Sequence, residues 1–435
     1  MKNLINKIFN LRNVSFVKHT AVMQVGAVFT NAVNIIASVI FARILLPDNY
    51  GVYTLVFTFA GLIFLFMNWG VDRATLVFFA EAYEKKNKEE IRNILIYFIK
   101  STLLISIIIG GLGFLIAPIL ANYFYGDSYI GELARIIVLA QIFVVFFEIT
   151  TISFQVLRKI KSFVILDNIK NLLRVILSVS LIFGFGVFGI MFGHLLAFFL
   201  ALIIAILAYS HLSSQNELLP TLKDLFKGWR DIKISNYFKF GFSIAVNQNI
   251  TRLYSILPIL FLSMFFSNAD VGYFNIALKY ISLPLMLVAP VSQLLSVRLP
   301  QLKVSANPLF VWNFLKASIM SGFIVIILVF FAVLFAPLLV KITYGQEYMP
   351  AVKVIYYLAP FAVFSGFAVG MGPLFRTLNK MKEIIIINGA VVVAGVLPAF
   401  YLIKNYGLIG ISIVTVVWFL SSDLISFLYI RKHLK

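Results

Sequence analysis

The sequence predicts an all-α polytopic membrane protein, with about twelve transmembrane helices in two parallel six-helix repeats. Three observations lead there. Of the 435 residues, 61% are hydrophobic and 12% are charged, about half the charge of an average soluble domain. Apolar runs long enough to cross a bilayer, which takes about 20 residues, recur along the whole chain. Short motifs in the first half return in the second at a nearly constant offset.

The runs lie at about 21–44, 52–69, 94–120, 133–156, 163–183, 187–208, 240–266, 272–296, 314–339, 351–372, 384–402 and 408–429. Gly184-Phe185-Gly186 is the turn that splits the fifth from the sixth. Residues 1–19 set Leu4, Ile8 and Leu11 beside Lys7, Arg12 and Lys18, the pattern of an interfacial helix. They lack the long apolar run of a cleavable signal. Residues 20–208 hold spans 1–6, and 73–93 read as an extension of span 2 followed by a charged turn. Residues 209–239 form an amphipathic linker, with Leu222, Leu225, Phe226, Trp229 and Ile232 beside Lys223, Lys227, Arg230 and Lys233. Spans 7–12 fill 240–430, and 431–435 are a basic tail. Pro284 and Pro290 are expected to kink span 8.

The repeat rests on four matches. Ala117-Pro-Ile-Leu…Tyr125-Gly126…Tyr129 returns as Ala336-Pro-Leu-Leu…Tyr344-Gly345…Tyr348, offset by 219. Gly51 matches Gly272, and Gly186-Val-Phe-Gly-Ile matches Gly407-Leu-Ile-Gly-Ile, both at 221. Arg135 and Arg158 match Lys353 and Arg376 at 218. Six spans is an even number, so the repeats share one orientation, related by an axis along the membrane normal.

The chain carries 36 Lys and Arg against 17 Asp and Glu, a net charge of +19. Hydropathy and charge placement explain this without nucleic acid. Most of the cations sit at the N-terminus, in the even-numbered connections and at the C-terminus. The odd-numbered connections carry only Arg43, Lys341 and Lys404. By the positive-inside rule both termini are cytoplasmic, and the localisation is the cell (inner or plasma) membrane. The outer loops are too short for a catalytic domain. There is no Cys, which excludes disulfides and thiolate chemistry. There is no Walker A motif, and His19, His194, His211 and His433 lack metal-ligand spacing. No enzyme activity and no cofactor are expected.

Charged side chains inside spans are functional candidates, because each costs about 2.5–3.5 kcal/mol at the bilayer centre. Gln248, Arg252 and Ser255 share one face of span 7 at i, i+4 and i+7. Arg252 lies ~20 Å along its helix, too deep to snorkel easily. Its repeat mate is Asn31, and that of Ser255 is Asn34, so span 1 has its own polar stripe with Gln24 and Ser38. Asp167, Lys170 and Arg174 share a face of span 5, with Arg174 ~16 Å deep. Arg offers a bidentate fork to phosphate and Lys a point charge. Lys279 on span 8 is a further candidate. Glu148 and Asp423 are the buried acids, read either as ion-pair partners of Arg252 or as carriers of a coupling ion, H⁺ or Na⁺. Asp167 has the same two readings toward Lys170. Arg135 and Lys353 read as snorkelling anchors.

Residues 34–61 (NIIASVIFARILLPDNYGVYTLVFTFAG), 70–81 (GVDRATLVFFAE) and the Tyr-Gly-x-x-Tyr loop after span 3 resemble the polysaccharide-export, O-antigen flippase-type family. That family belongs to the multidrug/oligosaccharidyl-lipid/polysaccharide (MOP) flippase superfamily. The resemblance implies two lobes around a central cationic cavity. It implies alternating access that moves a lipid-linked oligosaccharide, of the polyprenyl diphosphate type, from the cytoplasmic to the outer leaflet. Polysaccharide glycosyltransferases or a polymerase are the partners it suggests. Related peptidoglycan-precursor flippases usually have two further helices. Alternatives are a small-molecule or multidrug exporter of the same superfamily, a major-facilitator-type transporter and, with less support, a membrane glycosyltransferase or polymerase. Gly70-Val-Asp-Arg73 resembles the major-facilitator loop only faintly, and no outer loop is large enough for glycosyl transfer.

Overall fold

A computed structural model describes residues 15–227, 235–304 and 309–431. The expected interfacial helix at 1–19 falls mostly outside these residues, as do Trp229, Arg230, Ile232 and Lys233 of the linker and residues 432–435 of the tail. The described chain is helical, with no strand among the described residues.

In order the helices are α1 (Ser15–Met67), α2 (Val71–Glu84), α3 (Lys88–Ile105), a π-helical turn (Ser106–Gly110), α4 (Gly111–Tyr125), α5 (Ser128–Val156) and α6 (Ile160–Ser214). Then come α7 (Leu222–Lys227), α8 (Ser235–Phe265), α9 (Asn268–Val304), α10 (Leu309–Thr343), a 3₁₀ turn (Gln346–Tyr348), α11 (Pro350–Phe367), α12 (Met371–Thr377) and α13 (Met381–Arg431). Among the described residues, eight helical stretches are long and apolar enough to cross a membrane. Three of these helices are each two rods joined at one non-helical residue: Leu46 in α1, Gly186 in α6 and Gly407 in α13. Pro47 explains the first break, because a residue before proline is pushed out of the α region. Glycine explains the other two, at φ 54° and 52°. Helix α8, whose apolar run is interrupted by polar residues, is not one of the eight but is 31 residues long.

Residues 73–93 depart from the expected extension of span 2. The chain breaks after Met67 and starts a separate helix at Val71. Gly70 sits at φ 67°, and its amide donates to Asn68 Oδ1 at 3.2 Å. A local turn therefore replaces helical bonding. The charged turn that follows is capped: Asn87 Oδ1 accepts from the Glu90 amide at 3.0 Å, and Asn87 Nδ2 donates to Glu90 Oε2 at 3.2 Å. Helix α9 runs on through Pro284, Pro290 and Pro300.

The chain divides into two compact units. The first takes the described residues up to Ile44, Ala60–Tyr123 and Asp127–Ala245. Its apolar core joins α2, α3, α5, the C-terminal end of α6 and α7 around Phe79, Ile94, Leu95 and Phe98, all at 0% exposure. Leu225 of the linker is buried in this core. In this unit α6 folds back on itself. A Cβ at Gly193 would stand 2.7 Å from Ser178 Cα, and one at Gly189 2.3 Å from the Leu181 carbonyl oxygen. Lipid offers no hydrophobic drive for helices to meet, so small residues that admit close backbone contact mark such seams. Gly70 and Gly241 make another. Either Cβ would clash with the other glycine's carbonyl, and Trp69 packs beside them on Phe238 and Phe242.

The second unit takes Leu45–Phe59, Phe124–Gly126 and the described residues from Val246 on. The short segment 45–59 packs here against the start of α9. A Cβ at Gly51 would lie 1.8 Å from the Asn268 carbonyl oxygen, and one at Gly272 2.6 Å from that of Pro47. The two glycines matched by the repeat thus meet at one contact. Helix α13 folds back at Gly407, with Gly410 against Leu402 and Gly395 against Trp418.

The backbone also corrects one repeat match. Arg158 and Asn379, 221 apart, are both non-glycine residues in the left-handed region (φ 56° and 58°). Gly186 and Gly407 keep that offset, so Arg158 corresponds to Asn379 and the match to Arg376 was out of register.

Candidate functional site

The first unit holds a polar line across three rods: α1, α6 before Gly186 and α6 after it. The face predicted for Asp167, Lys170 and Arg174 is present, and its members have partners. Lys170 Nζ lies 2.7 Å from Asp167 Oδ1 and 4.8 Å from the centre of the Phe147 ring. Asp167 therefore pairs with Lys170. Asn171 Nδ2 donates to the Asp167 carbonyl at 3.0 Å. One turn further along α6, half-buried Arg174 donates through Nη2 to Asn34 Oδ1 on α1. Its Nη1 lies 3.4 Å from Nε2 of His194 on the returning rod. Thr30 donates to Asn168 at 2.6 Å, a second tie between α1 and α6. Asn31 is half-buried on the same stretch of α1.

Sequence reading found Asn34 and Arg174 and missed His194, Ser178, Thr30 and Asn168. Helical spacing relates residues along one rod, whereas Ser178 and His194 meet through the fold-back, and Thr30 and Asn168 through the packing of α1 on α6. One signal was present. Arg174 and His194, 20 residues apart, flank Gly184 symmetrically, as do Ser178 and Ile190, 12 apart. With the turn at Gly184–Gly186, Arg174 and Ser178 before it meet His194 and Ile190 after it.

In the second unit, α8 presents Gln248 half-buried and Arg252 and Ser255 exposed. No ion pair among the described residues involves Arg252, so a pair with Asp423, one of the two readings of that acid, is not formed. Ser255 lines a cavity of about 170 Å³ with Tyr254, Pro258, Phe274, Leu278, Ser282, Phe361, Thr415 and Phe419. Beside it Tyr254 donates to the Asn388 carbonyl at 3.2 Å and Ser422 to Asn388 Oδ1 at 2.5 Å. Half-buried Asp423 follows Ser422 directly, and Glu148 in the first unit is likewise half-buried. Lys279 donates to the Tyr50 hydroxyl at 2.8 Å and lies 5.3 Å from the Tyr50 ring centre and 5.9 Å from that of Tyr53. Fully buried Tyr50 also meets Tyr348 edge-on.

Arg135, read as an anchor, has a specific structural task. Pro118 has no N–H to give to the carbonyl of Phe114, one helical turn earlier. Arg135 Nε donates to that carbonyl at 2.6 Å and Nη2 to Leu115 O at 3.1 Å. Its repeat mate in sequence, Lys353, is exposed. Among the described residues no cluster of His, Asp and Glu could hold a metal ion.

Solved structures share the fold over almost the whole chain at low identity. "Lipid II flippase MurJ, inward closed conformation" aligns at TM-score 0.76 and 16% identity, covering 94% of this chain and 87% of that one. An inward-facing multidrug resistance MATE family transporter of the MOP superfamily aligns at 0.74 and 18%, covering 93% and 94%. Its outward-facing counterpart aligns at 0.65 and 18%, covering 97% and 95%. No curated protein matches the chain. The family model described as polysaccharide biosynthesis protein matches residues 40–353. The chain therefore belongs to this polysaccharide biosynthesis protein family and is a multi-pass membrane protein with the all-α fold of MOP-superfamily transporters.

Proposed function

We propose that this protein flips a lipid-diphosphate-linked oligosaccharide from the cytoplasmic to the outer leaflet by alternating access. The observation that carries the reading is Arg174, held at depth by the neutral oxygen of Asn34 and the imidazole of His194. A guanidinium presented in this way suits the oxygens of a diphosphate. Membership of a polysaccharide biosynthesis family and a structural neighbour that is a lipid II flippase agree with it. Arg252, Gln248, Ser255, Asn31, Asn34, Lys170 and Lys279 are the proposed substrate-facing groups. The proposed domains are the N-lobe at 20–208 and the C-lobe at 240–430, joined by the 209–239 linker. The proposed location is the cell membrane with both termini cytoplasmic. Polysaccharide glycosyltransferases or a polymerase would supply and consume the substrate.

The test is transfer of a fluorescent polyprenyl-diphosphate oligosaccharide across proteoliposomes. Arg174→Ala and Arg252→Ala should each slow it by about tenfold, given about 1.5–3 kcal/mol for a hydrogen bond to a charged group. Arg135→Ala should slow it less than about twofold, since its donors serve the backbone. Normal flux in both Arg174→Ala and Arg252→Ala would sink the reading. The multidrug transporters among the structural neighbours favour small-molecule export as the second reading. Uptake of a cationic dye by the same vesicles, with no lipid transfer, would establish it instead.

A further inference from the structure

The contacts around Arg174 fix the state of the histidine beside it. His194 is 2% exposed, and its Nδ1 lies 2.8 Å from the Ile190 carbonyl oxygen. A carbonyl oxygen has no hydrogen to give, so the proton of the ring sits on Nδ1. The Nε2 of that neutral tautomer has only a lone pair to offer. Arg174 has only donors, and its Nη1 faces that lone pair at 3.4 Å. Ser178, fully buried, steadies the other edge. Its hydroxyl lies 3.1 Å from Nδ1 and donates to Ile190 O at 3.3 Å. Phe198 meets the ring edge-on at 5.9 Å. Two uncharged acceptors on two rods, Asn34 Oδ1 and His194 Nε2, therefore engage different nitrogens of one guanidinium.

We propose that His194, backed by Ser178, is a positioning residue that holds the Arg174 fork in the orientation in which it receives the substrate diphosphate. The inference rests on the reading of Arg174 given above. A neutral acceptor orients the fork without itself neutralising its charge. A carboxylate in the same place would form an ion pair that an incoming phosphate has to displace. Span 1 brings the neutral Asn34 to the same guanidinium, and His194's own rod brings the Ile190 carbonyl and Phe198.

The experiment is a binding titration of undecaprenyl diphosphate, without sugar, to the full chain in nanodiscs at neutral pH. Arg174→Ala should weaken binding about tenfold, and His194→Leu, similar in bulk but without an acceptor, by about fivefold or more. His194→Gln, whose amide oxygen reaches where Nε2 stood, should stay within about twofold of the parent. Parent-like binding by His194→Leu, with Arg174→Ala impaired, overturns the positioning role alone. Parent-like binding by Arg174→Ala overturns the diphosphate reading and this inference with it. Equal losses in His194→Leu and His194→Gln, at unchanged unfolding temperature, show that the ring acts by packing and overturn it too. If His194→Leu does not fold, Ser178→Ala takes its place, with about a twofold to fivefold loss expected and no loss overturning the proposal.

Discussion

At the scale of single residues, the glycines divide by what surrounds them. Gly51 has a carbonyl 1.8 Å from where a Cβ would stand, and that atom is backbone, so it cannot swing away. Gly51→Ala should lower stability by about 3 kcal/mol or more, as large core disruptions do. Gly111 lies within the helical run and has nothing within 4 Å. Gly111→Ala should raise stability by about 0.5–1 kcal/mol, because it removes backbone freedom from the unfolded chain. Fluorescence-detected unfolding of the two variants in detergent would check the opposite signs, and a destabilised Gly111→Ala would contradict the open surroundings. Leu46 sits at φ 59° and ψ 171°, a region populated almost only by glycine, and is 52% exposed. Leu46→Gly should therefore stabilise by about 1 kcal/mol. Sequence alone could mark Gly51 through its repeat mate Gly272. It could not mark Gly111 as dispensable, because steric surroundings are not written in composition.

At the scale of elements, α4 and α5 are joined by a proline and an arginine that answer each other. If Arg135 is present to satisfy the carbonyls of α4 near Pro118, its value depends on that proline. Arg135→Ala should cost about 1–2 kcal/mol of stability in the parent. In a Pro118→Ala background the new alanine N–H can take the Phe114 carbonyl, and the cost of Arg135→Ala should fall by about 1 kcal/mol. A double-mutant cycle on unfolding free energy measures this coupling, and additive costs would refute it. The position of Arg135 near a span end was legible from hydropathy. Its dependence on Pro118 was not, because the two lie on different helices. The same limit explains His194. It was set aside for lacking metal spacing, when what matters is the register of a fold-back.

At the scale of the whole molecule, hydropathy and the duplicated motifs were enough to read the all-α fold, because each is a long-range average that tolerates local error. The energy source is a separate matter that rests on few residues. Outward movement of a diphosphate, down the field of an inside-negative potential, gains about 2.3 kcal/mol per charge per 100 mV, so potential alone can drive the step. Flipping should respond to an imposed potential and be indifferent to pH and Na⁺ gradients. Loss of a gradient response in Glu148→Gln or Asp423→Asn would show ion coupling instead. One architectural feature reaches beyond transport, to how the chain enters the bilayer. Helix α6 reverses on a single glycine, and the corner Phe183-Gly-Phe-Gly-Val-Phe188 contains no polar side chain. Nothing hydrophilic then has to be carried through the membrane to build this pair, and the two rods can leave the insertion machinery together as one hairpin. Arg174 and His194 would be buried against each other from the moment of insertion, so that neither has to face lipid alone.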